Sequence, residues 1–319
     1  MLDDVRRVAC VGAGTIGGSW ALVFTRAGIE TRVYDADPRQ RESLGERFAR
    51  GTALLQEGGA IGAREAEAMT ARLILGDDLP WLLEGVAYVQ ESVPERLELK
   101  RGVLAELDSL TAPDVVLGSS VSAIPMTQIA EGLRHPERCV TVHPTNPPHL
   151  VPLVEIVPGE QTSPDVADAA FAFMERLGQK PIMCRKEIVG YVLNRIQMAL
   201  FREALYLFRE GVASAADIDR CLSEGLGLRW AFLGPFGVEH TNAESIDHDL
   251  RKFAAPMREL FRDLCRPYDG PTEDDVRRIT AAVEEMFAGR SHEELVAYRD
   301  RMVLAVRALK ESYEKEREL

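Results

Sequence analysis

The chain has little of what would tie it to nucleic acid, to a membrane or to a disulfide scaffold. Its 38 lysines and arginines are outnumbered by 51 aspartates and glutamates, a formal net charge of −13. Binding to a phosphate-rich or anionic-lipid surface needs a basic face, so no nucleic acid and no membrane is expected as a partner. An anionic ligand would have to be gripped locally. The five cysteines (Cys10, Cys139, Cys184, Cys221, Cys265) are odd in number, widely spaced and without a C-x-x-C pair. Neither a disulfide framework nor a metal cluster is expected from them. No stretch approaches the roughly 20 apolar residues of a membrane helix. The apolar run after the charged amino end breaks at Gly12, too early for a signal segment. Internal repeats and low-complexity tracts are absent as well, and a soluble, cytoplasmic protein is expected.

What is present is ordinary globular material: 319 residues, 46% hydrophobic and 28% charged. That length and composition predict a sizeable core and favour two domains. The periodicity alternates between strand and helix. Residues 8–11 read as a short buried strand, 16–27 as a helix stopped by Gly28, and 31–34 as a second strand, together one βαβ unit. Helices are expected over 38–56 and 63–72, and strands over 86–90, 115–117, 140–142 and 153–157. This predicts an α/β fold, a Rossmann-type, mostly parallel sheet with helices on both faces over residues 1–187, followed by an all-α domain over 188–319. The second domain opens with a long helix over 191–209, and from Val192 onward large apolar residues surround most of it. Such a helix is either the centre of a self-contained bundle or part of a homodimer interface.

Gly12-Ala13-Gly14-Thr15-Ile16-Gly17 stands between the first strand and the first helix, and Asp35 ends the next strand. A glycine for the tight turn, a glycine for close approach to a pyrophosphate, a glycine for helix packing and a helix N-terminus for the anion make a dinucleotide site. Asp35 can accept from the ribose hydroxyls and would repel a 2′-phosphate, so NAD is expected rather than NADP, with FAD disfavoured. A second group of residues follows. His143 lies where an apolar strand runs into a Pro/Asn-rich loop, and Glu155 interrupts the apolar strand Leu153-Val-Glu-Ile-Val157. A carboxylate among such neighbours needs a partner, and an imidazole is a suitable one. With a dinucleotide site in the same domain, a His143/Glu155 pair suits hydride chemistry.

These segments, with Ser122 and Gly190-Tyr-Val-Leu-Asn194-Arg195, resemble the 3-hydroxyacyl-CoA dehydrogenase superfamily in order and spacing along nearly the whole chain. Within it, residues 90–100, 143–148, 151–158 and 225–235 are most similar to the λ-crystallin / L-gulonate 3-dehydrogenase branch. The resemblance implies NAD-dependent oxidation of the 3-hydroxyl of a small hydroxy acid. It implies that Thr15 and Ile16 meet the pyrophosphate, that Asp35 binds ribose and that Glu95 and Lys100 lie near the nicotinamide. Ser122 and Asn194 would hydrogen-bond the reacting centre, with His143 as acid/base oriented by Glu155. Two departures bear on the substrate. Ser120-Val121 replaces the Asn-Thr usual in the acyl-CoA enzymes, and the stretch after Pro235 differs from that of the sugar-acid branch. Arg229, in a Gly-rich stretch expected as loop, is the candidate clamp for a substrate carboxylate. The alternatives are a short-chain 3-hydroxyacyl-CoA dehydrogenase, a carnitine dehydrogenase, with Trp230, Phe232 and Phe236 for a trimethylammonium head or simply for core packing, and a catalytically silent NAD-binding crystallin-like protein.

Overall fold

A computed structural model of the chain describes residues 2–242, 245–264 and 270–317; Cys265 lies outside them. Contacts divide the protein into two compact units, Met1–Arg195 together with Ala297–Leu319, and Ile196–Val296.

In the first unit, β1 (Arg7–Val11), α1 (Thr15–Arg26) and β2 (Glu30–Tyr34) form the opening βαβ unit. There follow α2 (Pro38–Glu57), α3 (Ala63–Arg72), β3 (Leu73–Gly76), α4 (Leu79–Leu83), β4 (Tyr88–Glu91), α5 (Leu97–Leu110), β5 (Val116–Ser119) and α6 (Met126–Ile129). Next come β6 (Cys139–Pro144), β7 (Leu153–Pro158), α7 (Pro164–Arg176), β8 (Lys180–Met183) and the start of α8 (Leu193–Arg209). The eight strands form one sheet in the order β3-β2-β1-β4-β5-β6-β7-β8. All neighbours run parallel except β6 and β7, whose antiparallel register sets His143 opposite Glu155. The order reverses beside β1, and open α/β sheets bind ligands at the carboxyl ends of the strands at such a switch point.

Local chemistry explains the element ends. Asp37 caps α2 by accepting from Arg39 N–H, with Pro38 at the first helical position. Gly28, at φ +87°, turns the chain out of α1 in a conformation costly for other residues. Alternation along the strands divides the core between two faces of the sheet. Val8 and Cys10 join Trp20, Phe24, Tyr88 and Phe173 on one side, and Ala9 and Val11 join Leu104, Leu107 and Leu117 on the other.

The second unit is helical among its described residues. It holds most of α8, then α9 (Ala215–Arg220), a π-helical turn (Cys221–Leu226), α10 (Gly227–Asn242), α11 (Ile246–Lys252), α12 (Ala254–Leu264) and α13 (Glu273–Met286). It ends within α14 (His292–Arg317), whose later part belongs to the first unit. A capping box between Thr272 and Asp275 starts α13. Arg229 is the third residue of α10, so the glycine-rich stretch expected as loop is helix up to Gly234, whose φ of +67° kinks α10 just before Pro235. Gly227 has ordinary helical angles, φ −60° and ψ −39°, and a Cβ there would stand 2.7 Å from the Leu222 carbonyl oxygen. Glycine is needed there for close packing inside a helix rather than for a turn. The helix expected from residue 191 starts at Leu193, because Gly190 and Tyr191 both have positive φ.

Candidate active site

The three glycines of the first turn have different surroundings. A Cβ on Gly12, whose φ is +103°, would stand 2.6 Å from the Ser92 carbonyl oxygen, and one on Gly17 would stand 1.8 Å from that of Gly12. Around Gly14 no such atom lies within 4 Å. The first and third glycines therefore let backbones touch, whereas the second leaves space open. No side chain caps the N-terminus of α1 and no acidic residue stands in its first turn, so its free N–H groups suit an anion.

From this turn a cleft of about 670 Å³ runs past Tyr34, Asp35 and Asp37, along residues 92–96, and on to Ser120 and Ser122. Asp35 stands at its edge with both oxygens anchored: Oδ2 accepts from Ala13 N–H at 2.7 Å and Oδ1 from Asp37 N–H at 2.9 Å. Ser120 Oγ lies at the floor, accepting from Trp20 Nε1 at 3.1 Å and Gln90 Nε2 at 2.8 Å and lying 2.9 Å from Ser92 Oγ. Glu95 accepts from the backbone N–H groups of Ser122 and Ala123, which fixes the loop after β5.

Lys100 lines the cleft, yet its ammonium group is committed elsewhere. Only 1% exposed, it donates to Glu91 Oε1 at 2.8 Å, to Glu91 Oε2 at 3.0 Å and to the Val93 carbonyl at 3.1 Å. Ser119 Oγ donates to the same carboxylate. A buried ion pair of this kind holds its site only when fully hydrogen-bonded, as this one is. Lys100 is therefore turned to the end of β4 and the loop that follows it, and Glu95 to the loop after β5. Sequence reasoning missed Glu91, whose signal was an acid closing a buried strand.

One strand further along the sheet, His143 Nδ1 lies 2.7 Å from Glu155 Oε2. His143 is 6% exposed and Glu155 is fully buried. The second oxygen, Oε1, accepts from the N–H groups of Val192 at 2.8 Å and Leu193 at 3.0 Å, so the carboxylate also caps α8. Burial alone would raise the Glu155 pKa; the hydrogen bonds from His143, Leu193 and Val192 outweigh it and hold the carboxyl below its usual range. The Tyr191 ring packs on the imidazole with centroids 5.4 Å apart. Asn194, half-buried, lies in the first turn of α8, three residues after Tyr191. The fold thus puts Ser122 beyond the end of β5, His143 near the end of the neighbouring β6 and Glu155 opposite it on β7, with Asn194 in the first turn of α8. Arg229 is exposed on α10 of the second unit.

Residues 7–188 match the model of the 3-hydroxyacyl-CoA dehydrogenase NAD binding domain, and residues 190–258 that of the C-terminal domain of the same enzymes. The chain belongs to the 3-hydroxyacyl-CoA dehydrogenase family. Lambda-crystallin of Oryctolagus cuniculus is 37% identical over 89% of this chain and 91% of its own. An L-carnitine dehydrogenase of Streptomyces coelicolor is 40% identical over 95% of this chain and 94% of its own. The solved structure of 5-formyl-3-hydroxy-2-methylpyridine 4-carboxylic acid 5-dehydrogenase, an NAD+-dependent dismutase, superposes with a TM-score of 0.82. It is 28% identical and covers 97% of this chain and 99% of its own.

As a member of that dehydrogenase family the protein is an oxidoreductase, and its cofactor is NAD. The cleft fits that cofactor in three respects: the open space at Gly14, the uncapped N-terminus of α1 and the anchored carboxylate of Asp35. Among the described residues no group of three or more His, Cys, Asp or Glu is arranged to hold a metal ion. No helix among them is long and apolar enough to cross a membrane.

Proposed function

We propose that the protein oxidises the 3-hydroxyl of a small hydroxy acid, with His143 as the acid/base and Glu155 as its orienting carboxylate. The observation that carries this reading is the 2.7 Å contact between His143 Nδ1 and a fully buried carboxylate at the carboxyl end of the sheet. When bound, NAD supplies the nicotinamide that accepts the carbinol hydride. The Gly12, Gly14 and Gly17 turn, with the N–H groups of Thr15 and Ile16, holds the pyrophosphate, and Asp35 accepts from the ribose. Glu95 and Lys100 shape the nicotinamide half through the loops they fix. His143 keeps its Nδ1 hydrogen on Glu155, so Nε2 takes the hydroxyl proton, and the buried carboxylate stabilises the imidazolium formed. Ser122 and Asn194 donate to the oxygen as charge develops on it. Arg229 carries the guanidinium we assign to the substrate carboxylate.

An L-gulonate-like sugar acid is the substrate class we favour, from the λ-crystallin resemblance. A second reading has its own support: the L-carnitine dehydrogenase match extends over 95% of this chain, and Phe232 and Phe236 are exposed near Arg229 in sequence, as contacts for a trimethylammonium head would be. The test is NAD reduction, followed by absorbance, on L-gulonate, L-carnitine, 3-hydroxybutyrate and 3-hydroxybutyryl-CoA. Turnover confined to one free acid supports the class, and turnover only on the CoA thioester overturns it. Thermal stabilisation by NAD with no turnover on any of them would make the protein a crystallin-like binder.

We also propose a homodimer. Among the described residues of Ile196–Val296 only Leu205, Val238 and Asp275 are buried, while Ile196, Met198 and Phe201 of α8 are each more than half exposed. Large apolar side chains left exposed on several sides of a helix normally have a partner. Light scattering coupled to gel filtration should give the mass of two chains.

A further inference from the structure

Tyr191 breaks a local rule. Among the described residues it is the only non-glycine with positive φ, +48°, and it follows Gly190 at +76°. In that region the Cβ of an L-residue crowds its own backbone, and such strain persists only where the surroundings hold it in place. A glycine would make the same bend without strain, so the bend by itself gives no reason for a tyrosine.

The surroundings supply one. The side chain is 1% exposed, and its ring lies against the His143 imidazole, centroids 5.4 Å apart and planes at 60°. Its hydroxyl donates to the Ile124 carbonyl at 3.3 Å, two residues past Ser122. Burial pushes the phenol well above its ordinary pKa, so it stays protonated as a donor. Directly after the bend, the Val192 and Leu193 N–H groups reach Glu155 Oε1 at 2.8 and 3.0 Å, while Oε2 meets His143 Nδ1. One residue therefore acts on the pair twice: its backbone delivers two donors to the carboxylate, and its ring walls the imidazole.

We propose that Tyr191 is a positioning residue, whose ring holds the His143 imidazole in the plane where Nδ1 meets Glu155 and Nε2 is left to exchange the proton. This rests on the reading of His143 as the acid/base. A ring that merely filled the core could be replaced by an aliphatic side chain of similar volume without consequence for His143; a rigid ring set at a fixed tilt against the imidazole could not.

The test compares Tyr191→Phe, Tyr191→Leu and Tyr191→Gly in the full chain with two readouts. Long-range proton–nitrogen NMR correlations of the His143 ring at alkaline pH report its tautomer and need no substrate. Steady-state kinetics on the hydroxy acid turned over by the wild type report kcat and KM. In the wild type and Tyr191→Phe a single tautomer, hydrogen on Nδ1, is expected, with kcat within about twofold of each other because the wall is intact. In Tyr191→Leu and Tyr191→Gly we expect averaged tautomers and kcat lower by on the order of 10- to 100-fold, the scale of a sub-ångström misplacement, at unchanged KM for NAD. If glycine prevents folding, leucine, which keeps most of the volume, carries the comparison. A leucine variant with the wild-type tautomer and wild-type kcat would overturn the proposal. A tautomer change in a protein that turns over no hydroxy acid would leave the positioning role standing and sink the proposed activity instead.

Discussion

The turn between β1 and α1 and the corner formed by β6, β7 and the start of α8 prepare for a ligand with different materials. The turn is six contiguous residues of nearly bare backbone, with open space at Gly14 and N–H groups left unspent. The corner is built from His143, Glu155 and the Tyr191–Leu193 bend, distant in sequence and joined by an antiparallel register and a helix cap. There the donors and acceptors are already paired, and the proton position is what the pairing fixes. Bare backbone can receive any anion of the right size, whereas a saturated side-chain network can hold one proton on one nitrogen. Binding and chemistry should therefore be separable by mutation.

The largest effect that tests this separation is His143→Ala. Loss of a general base costs on the order of 10²- to 10⁴-fold in rate, about 3 to 5 kcal/mol. We expect that loss in kcat while NAD affinity, measured by fluorescence titration, stays within about twofold because the turn is untouched. Equal losses in both would show that the two regions are one structural unit. Next is a pair within the turn itself. Gly17→Ala places a Cβ 1.8 Å from the Gly12 oxygen, a backbone atom that cannot step aside. It should cost about 3 kcal/mol of stability in urea unfolding, at the upper end for overpacking. Gly14→Ala enters open space and should weaken NAD binding while leaving the unfolding midpoint nearly unchanged. If the two alanines behave alike, the turn is not divided between packing and binding as described.

His149, six residues beyond His143, shows what burial does to an imidazole without a carboxylate. Its Nδ1 is buried with no hydrogen-bond partner among the described residues, and burial, with Arg307 adding to it against Asp300, pushes the pKa down to about 4 from 6.5. Between those values the unfolded chain binds a proton that the folded protein does not. Stability contributed by neutral His149 is therefore full above about pH 6.5 and is lost as the pH falls towards 4, by about 2 kcal/mol between pH 7 and pH 5. His149→Gln should flatten the urea-unfolding free energy over that interval by about this amount. An unchanged slope would show that water or a bound ion already satisfies the ring.

The difference between turn and corner also governs what could be read in the sequence. The βαβ unit and Asp35 were legible because turn, helix and acid are local signals, and a six-residue motif is its own register. Glu155 was legible for a different reason: a carboxylate in the middle of an apolar strand has to be partnered. Neither argument reaches Lys100, since a lysine in an amphipathic helix reads as solvated until the fold places Glu91 beneath it. Tyr191 failed in the opposite sense. Apolar residues after Gly190 read as the first turn of a helix, and only tertiary contact with Glu155, 36 positions earlier, bends the chain there and delays α8 to Leu193. The strands β3 and β8 are four residues each with half-exposed patterns, too short and too mixed for periodicity to single out.

The smallest effect concerns Asp35, the side chain to which we assign the choice between NAD and NADP. Asp35 spends one lone pair of each oxygen on Ala13 and Asp37 N–H, and the remaining ones are free for ribose hydroxyls. Its charge opposes a 2′-phosphate, while the guanidinium groups around it are engaged: Arg39 pairs with Asp37 at 3.1 Å, Arg41 donates to the Asp35 carbonyl and Arg47 to the Ala13 carbonyl. Asp35→Ala should lower the NAD-over-NADP ratio of kcat/KM by about tenfold, about 1.4 kcal/mol, with some loss of NAD affinity as Ala13 N–H loses its acceptor. Asp35→Asn separates the two contributions, since the amide removes the charge and keeps one oxygen to accept from the turn. A ratio that falls in both variants assigns discrimination to charge. A ratio unchanged in both would mean that the carboxylate serves only to hold Ala13, and that cofactor choice is made elsewhere along the cleft.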